Sequence, residues 1–145
     1  MMRRYRAFTL VEILIVVVIL GILAAIVVPN FTNATEEASK NATLDQLVKI
    51  RHAIAVYHLR HGNVYPNVTA GPGATAWGGL VTVGGEYLRF PPKNMWVDSS
   101  VADVVVLGNA PDPAYQNTHG WIFDPATGNV WAGSFDANDK PYPKP

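Results

Sequence analysis

From Phe8 to Val28 every residue is Phe, Leu, Ile or Val except Thr9, Glu12, Gly21, Ala24 and Ala25, and Glu12 is the single charge. At about 0.3 to 0.6 kcal/mol each, those large apolar side chains favour entry into a bilayer by roughly 5 to 10 kcal/mol, whereas one central carboxylate costs about 3 kcal/mol. The run therefore inserts despite Glu12. Whatever fold the remainder adopts must carry one membrane-competent arm. An intramembrane charge marks a functional site by default, and a carboxylate near the start of the span needs a partner there. A nearby positive amine is the obvious one.

A chain of 145 residues has room for one domain beside that arm. The roughly 84 residues beyond His61 are few for a self-sufficient core, so they must lean on a helix. Formal charge is zero, but Arg3, Arg4 and Arg6 all precede the apolar run; without Met1–Ala7 the balance is 8 basic against 11 acidic residues, or −3. A nucleic-acid footprint needs a clustered basic excess, so no nucleic-acid partner is expected. Cysteine is absent, which excludes a disulfide framework and thiolate metal sites.

Met1–Ala7 is a short basic leader, and positive residues before an apolar span stay on the cytoplasmic side. A secretory signal peptide begins the same way, and Leu23-Ala24-Ala25 would serve as its small-residue cleavage site. An uncleaved signal anchor is the other plain reading. Against both, the run exceeds the usual apolar region of about 7 to 15 residues, Glu12 interrupts it, and a polar amphipathic helix follows.

Leu44, Leu47, Ile50, Ile54 and Tyr57 recur at spacings of 3, 3, 4 and 3, one face of an α-helix. Glu36, Glu37, Lys40, Lys49 and Arg60 take the solvent side. The pattern predicts one helix from about Phe8 to His61, roughly 80 Å long at 1.5 Å per residue. It is apolar all round in its first half and amphipathic in its second, as suits a helix shared between a membrane or filament core and a globular head. Pro29 removes an N–H and clashes with the preceding turn, and Gly21 costs about 1 kcal/mol of helix stability relative to Ala. Together they bracket a weak section. Asn30, Asn33, Asn41 and Asn67 satisfy Asn-x-Ser/Thr but read as accidents of composition.

Phe8-Thr9-Leu10-Val11-Glu12, the aliphatic run, Gly21 and Pro29, all behind a basic leader, resemble the N-terminus of type IV pilins and type II secretion pseudopilins. The resemblance implies that a prepilin peptidase cuts between Ala7 and Phe8 and methylates the new Phe8 amine. Ala7 is a departure, since the family nearly always has Gly there; a small residue still fits the peptidase. The family's weak section is often unwound in assembled filaments, and the same is expected from Gly21 to Pro29. When a subunit slides from the bilayer into a filament, the Phe8 amine and the Glu12 carboxylate both sit in apolar surroundings. Unpaired, each costs several kcal/mol; paired, their attraction offsets much of that. Glu12 of one subunit with the Phe8 amine of a neighbour thus sets axial register. The plainer alternative places Glu12 at headgroup depth, solvated.

His61-Gly62-Asn63 stops the helix. Asn67 to Gly79 reads as loop, and Gly79–Val83 as a short strand or turn. Tyr87-Leu88 and Pro91-Pro92 follow the major pseudopilin pattern loosely, because Lys93-Asn94-Met95-Trp96 stands where Asp-Pro-Trp-Gly is expected. Val101–Leu107 is β-branched and apolar, a buried strand. Gly120–Asp124 and Asn129–Ala132 alternate around Pro125 and Gly128 as a hairpin, with Trp121 and Phe123 on one face and Ile122 on the other. The four tryptophans read as core anchors. The fold class is α+β: a long N-terminal α-helix, hydrophobic in its first half, packed against a small antiparallel β-sheet head. Its parts are a leader (1–7), a membrane or filament-core helix (8–29), its amphipathic continuation (30–61) and a β-rich head (62–145).

No catalytic constellation is present, so the chain is not read as an enzyme. Ser39, Ser99, Ser100 and Ser134 lack a nucleophile elbow, and no Gly-rich phosphate loop precedes a helix. His52, His58 and His61 do not make up the three ligands zinc needs. Asp136, Asn138 and Asp139 place oxygens at close spacing, to which Ser134, Asp124 and backbone carbonyls can add; calcium takes six to eight. The resemblance implies calcium in a C-terminal loop of this kind, although the sharp-turn glycine and a later Glu are missing. An ordinary polar turn before a Pro-rich tail is the other reading; no further cofactor is expected.

The leading expectation is a structural subunit of a type II secretion pseudopilus. It would be anchored once in the inner membrane with its head in the periplasm, then built into a periplasmic or extracellular filament. Its implied partners are the prepilin peptidase, identical or related subunits in a helical filament, an inner-membrane assembly platform and secreted cargo. The alternatives are a type IV pilin for adhesion, motility or DNA uptake, and a signal-anchored periplasmic binding module with a Trp-rich head.

Overall fold

The structure, a computed structural model, describes residues 8–82 and 84–145, with backbone alone for 27–33. The leader, Ala7 and the side chains of Pro29, Asn30 and Asn33 lie outside the described residues. The chain forms two compact units, one ending at Glu37 and one running from Ala38 to Pro145.

Helix α1 spans Leu10–Arg60. In the first unit every side chain described from Phe8 to Ile26 is exposed. Among the described residues no helix is long and apolar enough to cross a membrane. The apolar part of α1 with described side chains covers positions 10–26, at the short limit for a span. The sequence continues the run through Val27 and Val28.

In the second unit the amphipathic stripe is the floor of the core. Leu47, Ile50, Ala53 and Ile54 are buried, with Leu44 and Tyr57 packed at its margin. Each fully buried aliphatic side chain contributes about 1.5 to 3 kcal/mol. Thr43, a hydroxyl, extends the stripe and is itself fully buried. The helix stops as the Gly-Asn signal predicts: Gly62 and Asn63 both take positive φ (64° and 65°), and the Asn63 N–H donates to the His58 carbonyl (2.9 Å). Beyond it come a single turn, α2 (Gly73–Ala76), and a 3-10 turn (Gly78–Leu80).

Among the described residues three short strands follow: β1 (Val105–Leu107), β2 (Trp121–Phe123) and β3 (Val130–Ala132), in the order β1-β2-β3. The β2–β3 hairpin is antiparallel with Ile122 opposite Trp131, as the alternation predicts. Trp121 and Phe123 enter the core cluster while Ile122, also buried, lies outside it. β1 corrects the expectation of a purely antiparallel sheet: it pairs parallel with β2, Val106 opposite Ile122. The connection between them, over positions 108–120, reaches the length of about a dozen residues or more that a parallel crossover needs.

The strand expected over Val101–Leu107 is also shorter, because Val101–Val104 closes a turn (Val104 N–H to Val101 carbonyl, 3.1 Å). That turn packs on Gly120, where a Cβ would overlap the Ala102 carbonyl oxygen. Only glycine fits there. Trp77, Trp96 and Trp121 are buried anchors, as expected; Trp131 is half-buried at the edge of a groove with Arg51, His58 and Tyr65.

Candidate functional site

α1 opens with Thr9-Leu10-Val11-Glu12, the Ser/Thr-x-x-Glu pattern of a capping box. The Glu12 Oε2 accepts from the Thr9 N–H (2.9 Å) and the Thr9 hydroxyl (2.8 Å), while the Glu12 N–H donates back to Thr9 Oγ1 (3.2 Å). The box satisfies helix-end donors that an apolar solvent would otherwise strand. It also holds the carboxylate within one turn of Phe8, whose side chain is exposed. The two residues singled out for assembly are therefore neighbours at the same helix end. Thr9 was missed as their partner, although the capping pattern was legible in the sequence.

α1 runs on through Gly21 without a break. A Cβ at Gly21 would meet nothing within 4 Å, so its own chain does not demand glycine there.

The five residues named as calcium ligands are dispersed among separate local bonds. Asp124 caps the β2–β3 turn, accepting from the Ala126 N–H (2.9 Å) and the Thr127 hydroxyl (2.6 Å); these bonds, the Thr127 hydroxyl first, hold its carboxyl below the ordinary range. The Asp136 Oδ1 accepts from the N–H groups of Asn138 (2.8 Å) and Lys140 (2.9 Å). Asp139 is clasped by Arg51, and Ser134 exchanges hydrogen bonds with the backbone of Gln116. Among the described residues no three His, Cys, Asp or Glu group to hold a metal ion. His58 and His61 instead stack on Tyr65 (4.2 Å) and Tyr57 (3.9 Å).

Two polar groups inside the head escaped the sequence reading. Asn94, fully buried, donates from Nδ2 to the carbonyls of Gly120 and Gly133 (2.9 Å each). Its Oδ1 accepts from the Trp96 N–H (2.8 Å) and lies 3.1 Å from the Thr43 hydroxyl. It thus ties α1 to the β2–β3 unit. Asp112 organises the crossover loop, accepting from the Ser134 N–H (2.7 Å) and Gln116 Nε2 (2.9 Å). His119 Nε2 lies 3.4 Å from the same oxygen, without a hydrogen bond. Burial lowers the His119 pKa from its ordinary value, and Asp112 pulls it the other way.

Residues 2–28 match the family described as the prokaryotic N-terminal methylation motif. With the capped apolar helix and the α+β head, this defines a prepilin-like protein. The chain is similar to the type II secretion system core protein G of Klebsiella pneumoniae, 36% identical over 102 residues (66% of this chain, 71% of that protein). The same protein of Vibrio cholerae is 34% identical over 126 residues (74% and 82%), and that of Dickeya chrysanthemi 42% over 74 residues (51% and 48%). The chain belongs to the type II secretion system core protein G family. No solved structure matches it significantly.

Proposed function

We infer that the chain is a structural subunit of a type II secretion pseudopilus, acting by polymerisation rather than catalysis. The observation that carries this reading is the N-terminal methylation motif over residues 2–28, joined to relatives named as core protein G over most of their length. Removal of the leader by a prepilin peptidase creates an amine at Phe8. The basic leader keeps that end cytoplasmic, so the helix anchors the chain once in the inner membrane with its head in the periplasm.

In the unassembled subunit Thr9 supplies the donors for Glu12, so the carboxylate is not bare in oil. On entry into the filament, the methylated Phe8 amine of a neighbour joins that carboxylate and fixes the axial step. An inner-membrane platform would deliver subunits one at a time, and the growing filament would engage secreted cargo.

Glu12→Ala tests this. Membrane insertion and leader removal should match wild type, while incorporation into filaments falls by more than about tenfold, since an apolar site then holds an unpaired amine. Normal filament yield from this variant would refute the pairing.

A further inference from the structure

Calcium in the C-terminal loop is implied by family resemblance, yet the donor set of this chain does not fit it. A calcium site gathers six to eight oxygens; here at least one side-chain oxygen of each of Asp124, Asp136, Asp139 and Ser134 accepts an N–H or O–H donor of the chain itself. One of those donors is already a cation. Arg51, on the helix turn beside Ile50, sends Nη1 to Asp139 Oδ2 (2.6 Å) and Nη2 to Asp139 Oδ1 (2.8 Å). Its Nη2 also donates to the Val130 carbonyl in β3 (3.1 Å).

We infer that the guanidinium of Arg51 closes the C-terminal loop of this chain in place of a divalent cation. The loop is prepared for that latch. The Asp136 N–H donates to the Lys140 carbonyl (2.9 Å) and the Asp139 N–H to the Asp136 carbonyl (3.1 Å). Phe135, fully buried, bridges to Pro141, and the Tyr142 N–H returns to the Ser134 carbonyl (2.9 Å). These bonds present Asp139 to the helix 88 positions earlier.

A planar guanidinium matches a carboxylate through two parallel bonds and sheds water more readily than an ammonium. It therefore pins helix, strand and tail as a coordinated ion would. A divalent ion at Asp139 would have to displace a positive charge already bound. Asp112, whose Oδ2 accepts from Gln116 Nε2 and the Ser134 N–H, is likewise occupied. The latch lies wholly within the second unit and is independent of any filament role.

The test is thermal melting of the full chain in detergent, with protease cleavage of the tail as a second readout, in excess EDTA and in millimolar calcium. Wild type should give the same Tm in both, within about 1 °C. Arg51→Gln and Asp139→Asn should each lower Tm by roughly 2 to 6 °C and expose the tail to cleavage, and the double variant should lose no more than either single one. A calcium-dependent rise in the wild-type Tm would overturn the inference. So would an Arg51→Gln chain that melts and resists cleavage like wild type.

Discussion

Every side chain described between Phe8 and Ile26 is exposed, whereas Leu47, Ile50, Ala53 and Ile54 on the same helix are at most 4% exposed. The first stretch is by far the more apolar, yet its described side chains stay exposed. The second, half polar, completes a core with Trp77, Trp121 and Phe123. Hydrophobicity alone therefore does not mark the core of this protein. What marks it is a stripe of the right period facing a sheet that can cover it. An apolar surface without such a face is the one proposed above to meet lipid and then other copies of the chain.

The sharpest way to break this contrast is to damage each region and read the other. Asn94→Ala leaves the Gly133 carbonyl and the Trp96 N–H without their partner, while the Gly120 carbonyl keeps the Gly133 N–H. Stranded buried groups of this kind cost roughly 2 to 4 kcal/mol in total, so the head Tm should fall by about 10 °C or more. Ile15→Ala, in the arm, should move the head Tm by less than about 1 °C. Equal destabilisation by the two variants would erase the distinction.

A smaller effect sharpens the description of the head. His119 is buried in the crossover loop, and its pKa lies below the ordinary 6.5. The unfolded chain then binds the proton more readily than the folded one. The stability contributed by neutral His119 is whole above 6.5 and is lost as pH falls through the folded value. Melting from about pH 7.5 down to about pH 5 should show this decline, and His119→Asn should flatten it. A variant profile identical to wild type would remove His119 from the account.

Much of this is legible in the sequence. The helix, its Gly62-Asn63 stop and the buried stripe follow from period and capping chemistry, and the β2–β3 hairpin follows from strict alternation around Gly128. β1 is expected as a strand, but its parallel pairing escaped because a partner beyond a long crossover leaves no local pattern, and the Ala102–Gly120 contact beside its shortened end is purely tertiary. Asn94 reads as a loop residue until Thr43, 51 positions earlier, turns up beside it. Asp139 looks like a metal ligand for a similar reason: the sequence displays its oxygens but hides the distant Arg51 that takes them. Thr9 is the opposite case. Its capping pattern stands beside Glu12, but a lone charge in an apolar run points toward neighbouring subunits before it points to its own helix turn.

The most direct measurement is mass spectrometry of the N-terminal peptide from filaments sheared off cells that express the full chain. The account predicts a peptide beginning at Phe8 and bearing a methyl group on its amine. Filaments built from chains that still begin at Met1 would contradict it, because the amine that pairs with Glu12 would not exist.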